Sequence, residues 1–372
     1  MNEKGQTFCQ MKTLRPMAIY LPQFHPIPEN DLWWGKDYTE WIKVKKSRSL
    51  VKNHYQPHIP ADLGYYDLRD PEIRERQASI AKEHGIYGFC YYHYWFSGKR
   101  LLHQPIDEVL RLKKPDFPFC LAWANENWTR AWDGVSGTIL LEQKYNHVDD
   151  LEHIRFLVSI FQDERYIRVD GKPVFIIYQP ALLPDIPRTL EIWREEAMKL
   201  GIGELYLCYF ENIIQGVDPQ TFGFDASIEF QPNWWKLPPP MKRTQTGNYL
   251  KKKGIFLNAW HKHMFIDYPE FAYRMMDDAN KVNYKRYPGI TPMWDNSPRR
   301  KKEASIFINS NPAEYALWLD KIIHDFHPFS KEENFIFINA WNEWGEGNHL
   351  EPCKKWGRAY LEVTKALLSA NI

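Results

Sequence analysis

The sequence is short of several things at once, and each shortage removes a class of function. Its 48 Lys+Arg balance 47 Asp+Glu, leaving a formal charge of +1. A chain that wraps a nucleic-acid backbone needs a net basic footprint, so no nucleic-acid partner is expected. No run of 18 apolar residues occurs, so no membrane-spanning helix is expected. Cysteine is scarce: Cys9, Cys90, Cys120, Cys208 and Cys353 are scattered, odd in number and never spaced C-x-x-C. That excludes a disulfide framework and a thiolate zinc site. Cys90, Cys120 and Cys208 sit inside apolar runs and read as small buried hydrophobes. No glycine-rich G-x-G-x-x-G turn, P-loop or D-x-D motif is present, which argues against nucleotide cofactors. The segment Met1–Lys12 lacks the basic-then-apolar layout of a secretory signal, and a cytoplasmic location is the expectation.

Aromatic residues are abundant: 16 Trp, 21 Tyr and 21 Phe, 16% of 372 residues. So many flat apolar faces belong either to a core or to a surface that stacks on something, and sugars present such C–H faces. Eight apolar runs of strand length recur: Met17–Phe24, Gly88–Trp95, Phe117–Ala124, Pro173–Tyr178, Glu204–Phe210, Ala226–Phe230, Gly289–Met293 and Phe335–Ala340. Between many of them lie helical patterns, at Pro71–His84, Gln104–Arg111, Asp149–Phe161, Pro187–Leu200, Pro312–Phe326 and Trp356–Ser369. Continuous apolar strands alternating with helices indicate a parallel sheet covered outside. Eight of them suit an α/β fold of the (β/α)8 barrel type, preceded by a short tail (1–14) and occupying 15–372 as one domain. Two long zones, Pro26–Asp67 and Gln231–Asn283, read as irregular loops rich in tryptophan, the kind that form lids or binding surfaces.

Barrel enzymes react at the carboxyl ends of their strands, so the residues there are the candidates. In strand order these ends supply His25; His93 and Trp95; Trp123, Asn125, Glu126 and Trp128; Tyr178; Glu211; Glu229; Trp294 and Asp295; and Asn342, Glu343, Trp344 and Glu346. Carboxylates, amides and tryptophans meeting at one end make a sugar site. Cleaving a glycosidic bond takes two carboxyl groups about the anomeric carbon, one of them holding a proton at a raised pKa. Glu343 and Glu346 are three apart after the last strand, and the adjoining Gly345 and Gly347 allow close backbone approach to a ligand. Other features read more plainly: the basic run Arg299–Lys302 as a solvated loop, the pairs Asp149-Asp150 and Asp277-Asp278 as groups that cap helices or decorate their solvent faces, and His261-Lys262-His263 as surface histidines or sugar contacts rather than metal ligands. No metal or other cofactor is expected.

Four motifs in order carry a resemblance: Tyr20-Leu21-Pro22-Gln23-Phe24-His25-Pro26, Thr39-Glu40-Trp41, Trp123-Ala124-Asn125-Glu126-Asn127-Trp128-Thr129 and Asn342-Glu343-Trp344-Gly345-Glu346-Gly347. Across roughly Arg15 to Leu368 the chain resembles the WbsX-like family, grouped with glycoside hydrolase family 99. The resemblance implies a (β/α)8 barrel that cleaves α-mannosidic bonds with retention. By the match to the last motif, Glu343 is the base that takes the proton of the sugar's own 2-hydroxyl. That oxygen then attacks the anomeric carbon and gives a 1,2-anhydro sugar. Glu346 is the acid that protonates the leaving oxygen and then the base that activates water. Backside attack by O2 needs a trans-diaxial leaving group, so the resemblance implies a manno- or rhamno-configured α-glycan as the partner. Two other readings stand beside it: a glycosyltransferase building surface polysaccharide, and a noncatalytic glycan-binding barrel.

Overall fold

The apolar runs and helical patterns assemble as a barrel in a computed structural model that describes residues 14–130, 138–242, 244–277 and 282–370. The sheet strands are β1 (Arg15–Tyr20), β2 (Gly88–Phe96), β3 (Phe119–Trp123), β4 (Lys172–Ile177), β5 (Tyr206–Glu211) and β6 (Ala226–Glu229). They continue with a divided β7 (Arg286–Tyr287 and Gly289–Ile290) and β8 (Phe335–Ile338). All pairings between neighbouring barrel strands are parallel. The sheet closes through β7, whose first half pairs with β6 and whose second half pairs with β8. Pro288 joins the halves; it has no N–H to give, but its carbonyl accepts from Phe337 at 2.9 Å.

The strands read as continuous apolar runs because both faces are covered. Every residue of Phe119–Trp123 and of Phe335–Ile338 is buried. The outer layer consists of α1 (Pro71–Glu83), α2 (Gln104–Leu112), α3 (His147–Phe161), α4 (Ile186–Lys199), α5 (Tyr268–Asp277), α6 (Pro312–Asp325) and α7 (Ala359–Ala370). Several begin on side-chain caps: Asp70, Asn146, Asp185 and Asn311 each accept a backbone N–H of the first turn. Between β5 and β6 the crossover is only a 3-10 turn, Pro219–Phe222.

Three expectations are corrected here. The seventh strand is Arg286–Ile290, earlier in the chain than Gly289–Met293, because Ser227 and Ile228 pair with Arg286 and Tyr287. The two long zones are structured. The first contains short helices at Pro28–Trp34 and Glu40–Lys46. The second contains helices at Gln245–Lys252 and Ala259–Lys262, all of α5, and a strand, Met264–Asp267, that pairs parallel with Ser305–Ile308. Asp149 and Asp150 are buried, not solvated: Asp149 accepts from Trp95 Nε1 and Asp150 from Thr189 Oγ1 at 2.9 and 3.0 Å. The helix expected at Asp277-Asp278 ends at Asp277, and Asp278 lies outside the described residues, as does the tail up to Thr13. No described helix is long and apolar enough to cross a membrane.

Candidate active site

Above the strand ends opens a cleft of about 740 Å³. Its floor is made by the chain leaving β8. Asn342 and Glu343 pair antiparallel with Asn348 and His349, and this short hairpin encloses a 3-10 turn, Trp344–Glu346. Both Glu343 and Glu346 thereby come off one tight turn and line the cleft. Asn342 fixes the turn's root: its side-chain amide donates to the Leu21 carbonyl and accepts from the Leu21 N–H, at 3.0 and 2.8 Å. That clamp continues the β1–β8 pairing above the barrel. Trp344 is buried beneath the turn, stacked on His349 with centroids 3.7 Å apart, and its Nε1 donates to Glu351 at 2.6 Å.

One guanidinium organises the floor. Arg299 donates from Nη2 to Glu343 at 3.0 Å, lies with Nη1 2.7 Å from Glu346, and donates from Nε to Glu40 at 3.2 Å. Arg299, Glu40 and Glu343 are buried, while the Glu346 side chain keeps 22% of its surface exposed at the cleft wall. The arrangement explains Gly345: a Cβ there would fall inside the Glu40 carboxylate and against Arg299 Nε. The glycine therefore admits the Glu40–Arg299 pair rather than a ligand. Gly347 has φ +55°, and a Cβ on it would lie 2.9 Å from that of Asp295.

Three carboxylates about one cation leave excess negative charge in a dry place. Burial pushes Glu343 up to about 8; Arg299 works against that shift, and Glu346 and Glu40 add to it. Burial also raises Glu346, again opposed by Arg299. The pair therefore retains a proton near neutrality, the condition for one group to act as acid and the other as base.

The cleft walls hold six of the sixteen strand-end candidates: Glu126, Trp128, Tyr178, Trp294, Glu343 and Glu346. The other ten lie elsewhere. His93, Trp95 and Trp123 face the helix layer, where they pack about His153 and α3; Trp95 stacks on His153 at 4.7 Å. Burial lowers His93 to about 3 and His25 to about 4, so both are neutral. Asn125 clamps the ends of β3 and β4 by exchanging hydrogen bonds with the Gln179 backbone, at 2.8 and 2.7 Å. Glu211 accepts from Ser227 and Tyr284 at the β5–β6–β7 seam. Glu229 accepts the Gly289 N–H at 3.4 Å. Asp295 accepts from His54 and Gln56 of the loop after β1, at 2.7 and 2.6 Å, and its own N–H donates to the Glu346 carbonyl at 2.6 Å. Asn342 and Trp344 support the turn as described.

Arg299 and Glu40 were given no role from the sequence, and Tyr92 and Tyr94 were passed over at the end of β2, whereas Trp34 and Trp234 belong to the tryptophan-rich zones expected to form binding surfaces and do line the cleft. For Tyr92 and Tyr94 the signal was the two-residue period of β2, which puts them opposite His93 and Trp95. Glu40 stood in a quoted motif with no role attached, and Arg299 stood in a run read as solvated. His261 and His263 are buried rather than on the surface. His261 lies 3.0 Å from Asn258 Oδ1 and 3.2 Å from Thr244 Oγ1, and His263 accepts the Ala304 N–H. Among the described residues no three His, Cys, Asp or Glu side chains converge as metal ligands. The four described cysteines are buried and free.

Comparison with known proteins adds kinship to this geometry. A family model described as "Glycosyltransferase WbsX" matches residues 16–364. The "Uncharacterized protein WxcX" of Xanthomonas campestris pv. campestris, in strains ATCC 33913 and B100, is 40% identical over 354 residues. The match takes in 95% of this chain and 49% of that protein, so the chain spans about half the length of these curated relatives. Among solved structures, a "Glycoside hydrolase-like protein" aligns with TM-score 0.59 at 14% identity, over 99% of this chain and 97% of that one. The GH99 endo-alpha-mannosidase from Bacteroides thetaiotaomicron aligns with TM-score 0.57 at 15–17% identity, over 96% and 97%. At such identity these likenesses establish a shared barrel fold.

Proposed function

Because this chain belongs to the WbsX family, we propose that it is a carbohydrate-active enzyme, a retaining glycoside hydrolase for α-linked manno- or rhamno-configured glycans. The observation that carries the reading is the Glu343–Arg299–Glu346 bridge on the floor of an aromatic-walled cleft. Trp128, Trp294 and Tyr178 offer the flat faces that stack on sugar rings, and Glu126 offers a hydroxyl acceptor.

In the first step Glu343 takes the O2 proton while O2 bonds to C1 and the C1–O bond to the leaving sugar breaks. Glu346 gives its proton to that leaving oxygen. In the second step Glu346 takes a proton from water, whose oxygen opens the 1,2-anhydro ring at C1, and Glu343 returns its proton to O2. Each carboxyl ends as it began, and two inversions give retention. The division of roles rests on the family resemblance; the raised pKa values support a proton held by the pair.

The family's own description favours a second reading, transfer to a sugar hydroxyl. On this site an acceptor hydroxyl would take the place of water in the second step. Incubation with mannose- and rhamnose-containing glycans, without nucleotide sugar, separates the readings. Hydrolysis releases reducing sugar. Silence until a nucleotide sugar is added indicates the transferase, and binding without turnover in either condition indicates a noncatalytic barrel. Glu343→Gln and Glu346→Gln are each expected to cut turnover by about 10²-fold or more with the fold intact.

A further inference from the structure

Two charge runs remain outside this account. Lys251-Lys252-Lys253 closes the helix Gln245–Lys252, and Arg300-Lys301-Lys302 follows the arginine of the active site. They are far apart in sequence, but the fold joins them. Lys251 pairs with Glu303 at 3.1 Å, and the Glu303 N–H donates to the Lys262 carbonyl at 2.9 Å. Beneath them the paired strands Met264–Asp267 and Ser305–Ile308 hold both segments on one small apolar cluster, built on Phe265, Ala304 and Ile306. Lys242 lies over the Trp260 ring of the same cluster, 4.4 Å from its centroid.

The result is a strongly one-signed face on a chain of net charge +1. Residues 241–262 contain no Asp or Glu, and between Arg299 and Ala304 the one carboxylate is Glu303, already engaged by Lys251. At the tip of this face, just past the lysines, Ile255 and Leu257 are 52% and 54% exposed, and Tyr249 on the helix before them is 58% exposed. Branched aliphatic side chains standing beside lysines are not a sugar platform, which calls for flat rings. Nor do they suit a nucleic-acid backbone, which needs cations alone. Cations that reach headgroup phosphates and aliphatic tips that enter the acyl boundary describe an interfacial membrane contact.

We propose that the insertion between β6 and β7, with the basic loop that follows β7, docks this protein on an anionic lipid bilayer. The face runs up to the cleft, since Arg300 and Ser305 line its wall. Docking through it sets the cleft mouth at the membrane surface. The inference concerns location, so it stands apart from the hydrolase and transferase readings.

The test is co-sedimentation of the whole chain with phosphatidylcholine vesicles, with and without phosphatidylglycerol, at low and high salt. Binding is expected only with phosphatidylglycerol, and high salt should weaken it. Lys252→Glu/Lys253→Glu should reduce binding by about tenfold or more. Ile255→Ser/Leu257→Ser should reduce it severalfold without changing the salt dependence. All four side chains are exposed, so the melting temperature should stay that of the wild type. Failure of the wild type to sediment with anionic vesicles at low salt overturns the proposal. So does undiminished binding by the double-serine variant, or equal competition by a soluble polyanion such as dextran sulfate, since either leaves charge alone as the cause.

Discussion

Arg299→Met is the most informative perturbation of the floor. The guanidinium touches Glu343, Glu346 and Glu40 at 3.0, 2.7 and 3.2 Å. At an effective dielectric near 20, a unit charge about 4 Å away acts on a carboxylate by roughly 4 kcal/mol, or on the order of 3 pKa units. Arg299 lowers both Glu343 and Glu346, so its removal raises them. The wild-type profile of kcat/KM is expected to be bell-shaped, with an alkaline limb near the value of about 8 for Glu343. A bell belongs to the coupled pair, so the limb lies there whichever carboxyl carries the proton. In Arg299→Met the limb moves to higher pH, and turnover at neutral pH falls because the base is held protonated. Arg299→Lys keeps the charge and loses the fork, so its limb should stay near the wild-type position while kcat drops. Stability carries an independent readout. The folded-state pKa of Glu343 exceeds its ordinary 4.5, so its contribution is full at low pH and is lost as pH rises toward about 8. In Arg299→Met that loss extends to still higher pH. The assays are the pH dependence of kcat/KM and of the melting temperature. A limb that stays where the wild type has it, with turnover intact, refutes the charge assignment.

Other substitutions probe the support around this floor. Gly345→Ala places a methyl where Glu40 and Arg299 meet; overpacking should cost about 1–3 kcal/mol by denaturant titration and reduce turnover together with stability. Asp295→Ala orphans the His54 and Gln56 donors, at about 1–3 kcal/mol each, and a variant as stable as the wild type would contradict the clamp. Trp294→Ala and Trp95→Ala should separate cleanly. The first opens the cleft wall and raises KM, whereas the second removes a buried ring from the α3 layer at about 3–5 kcal/mol with KM unchanged.

The barrel was legible because burial on both faces imposes continuous apolar strands, and caps such as Asp70-Pro71 mark where helices begin. The seventh strand was misplaced because its start, Arg286–Tyr287, carries no apolar run; pairing to Ser227 and Ile228 defines it. The motif at Glu343 and Glu346 was equally readable, since one tight turn delivers both carboxylates to the same floor and local sequence encodes that turn.

What tertiary structure decided was which side of each strand faces the cleft and which distant groups complete it. Choosing the residue nearest a strand's end selects a height, but alternate residues point to opposite faces, so His93 and Trp95 went to the helices while Tyr92 and Tyr94 took the cleft. Arg299 and Glu40 lie 259 residues apart and meet only because the loops after β1 and β7 close over the same turn. A charge run looks the same in sequence whether it is solvated or buried. In the run at 299–302 Arg299 alone is buried while Lys301 and Lys302 stay exposed, and the carboxylates that hold Arg299 inside are partners that no local pattern contains.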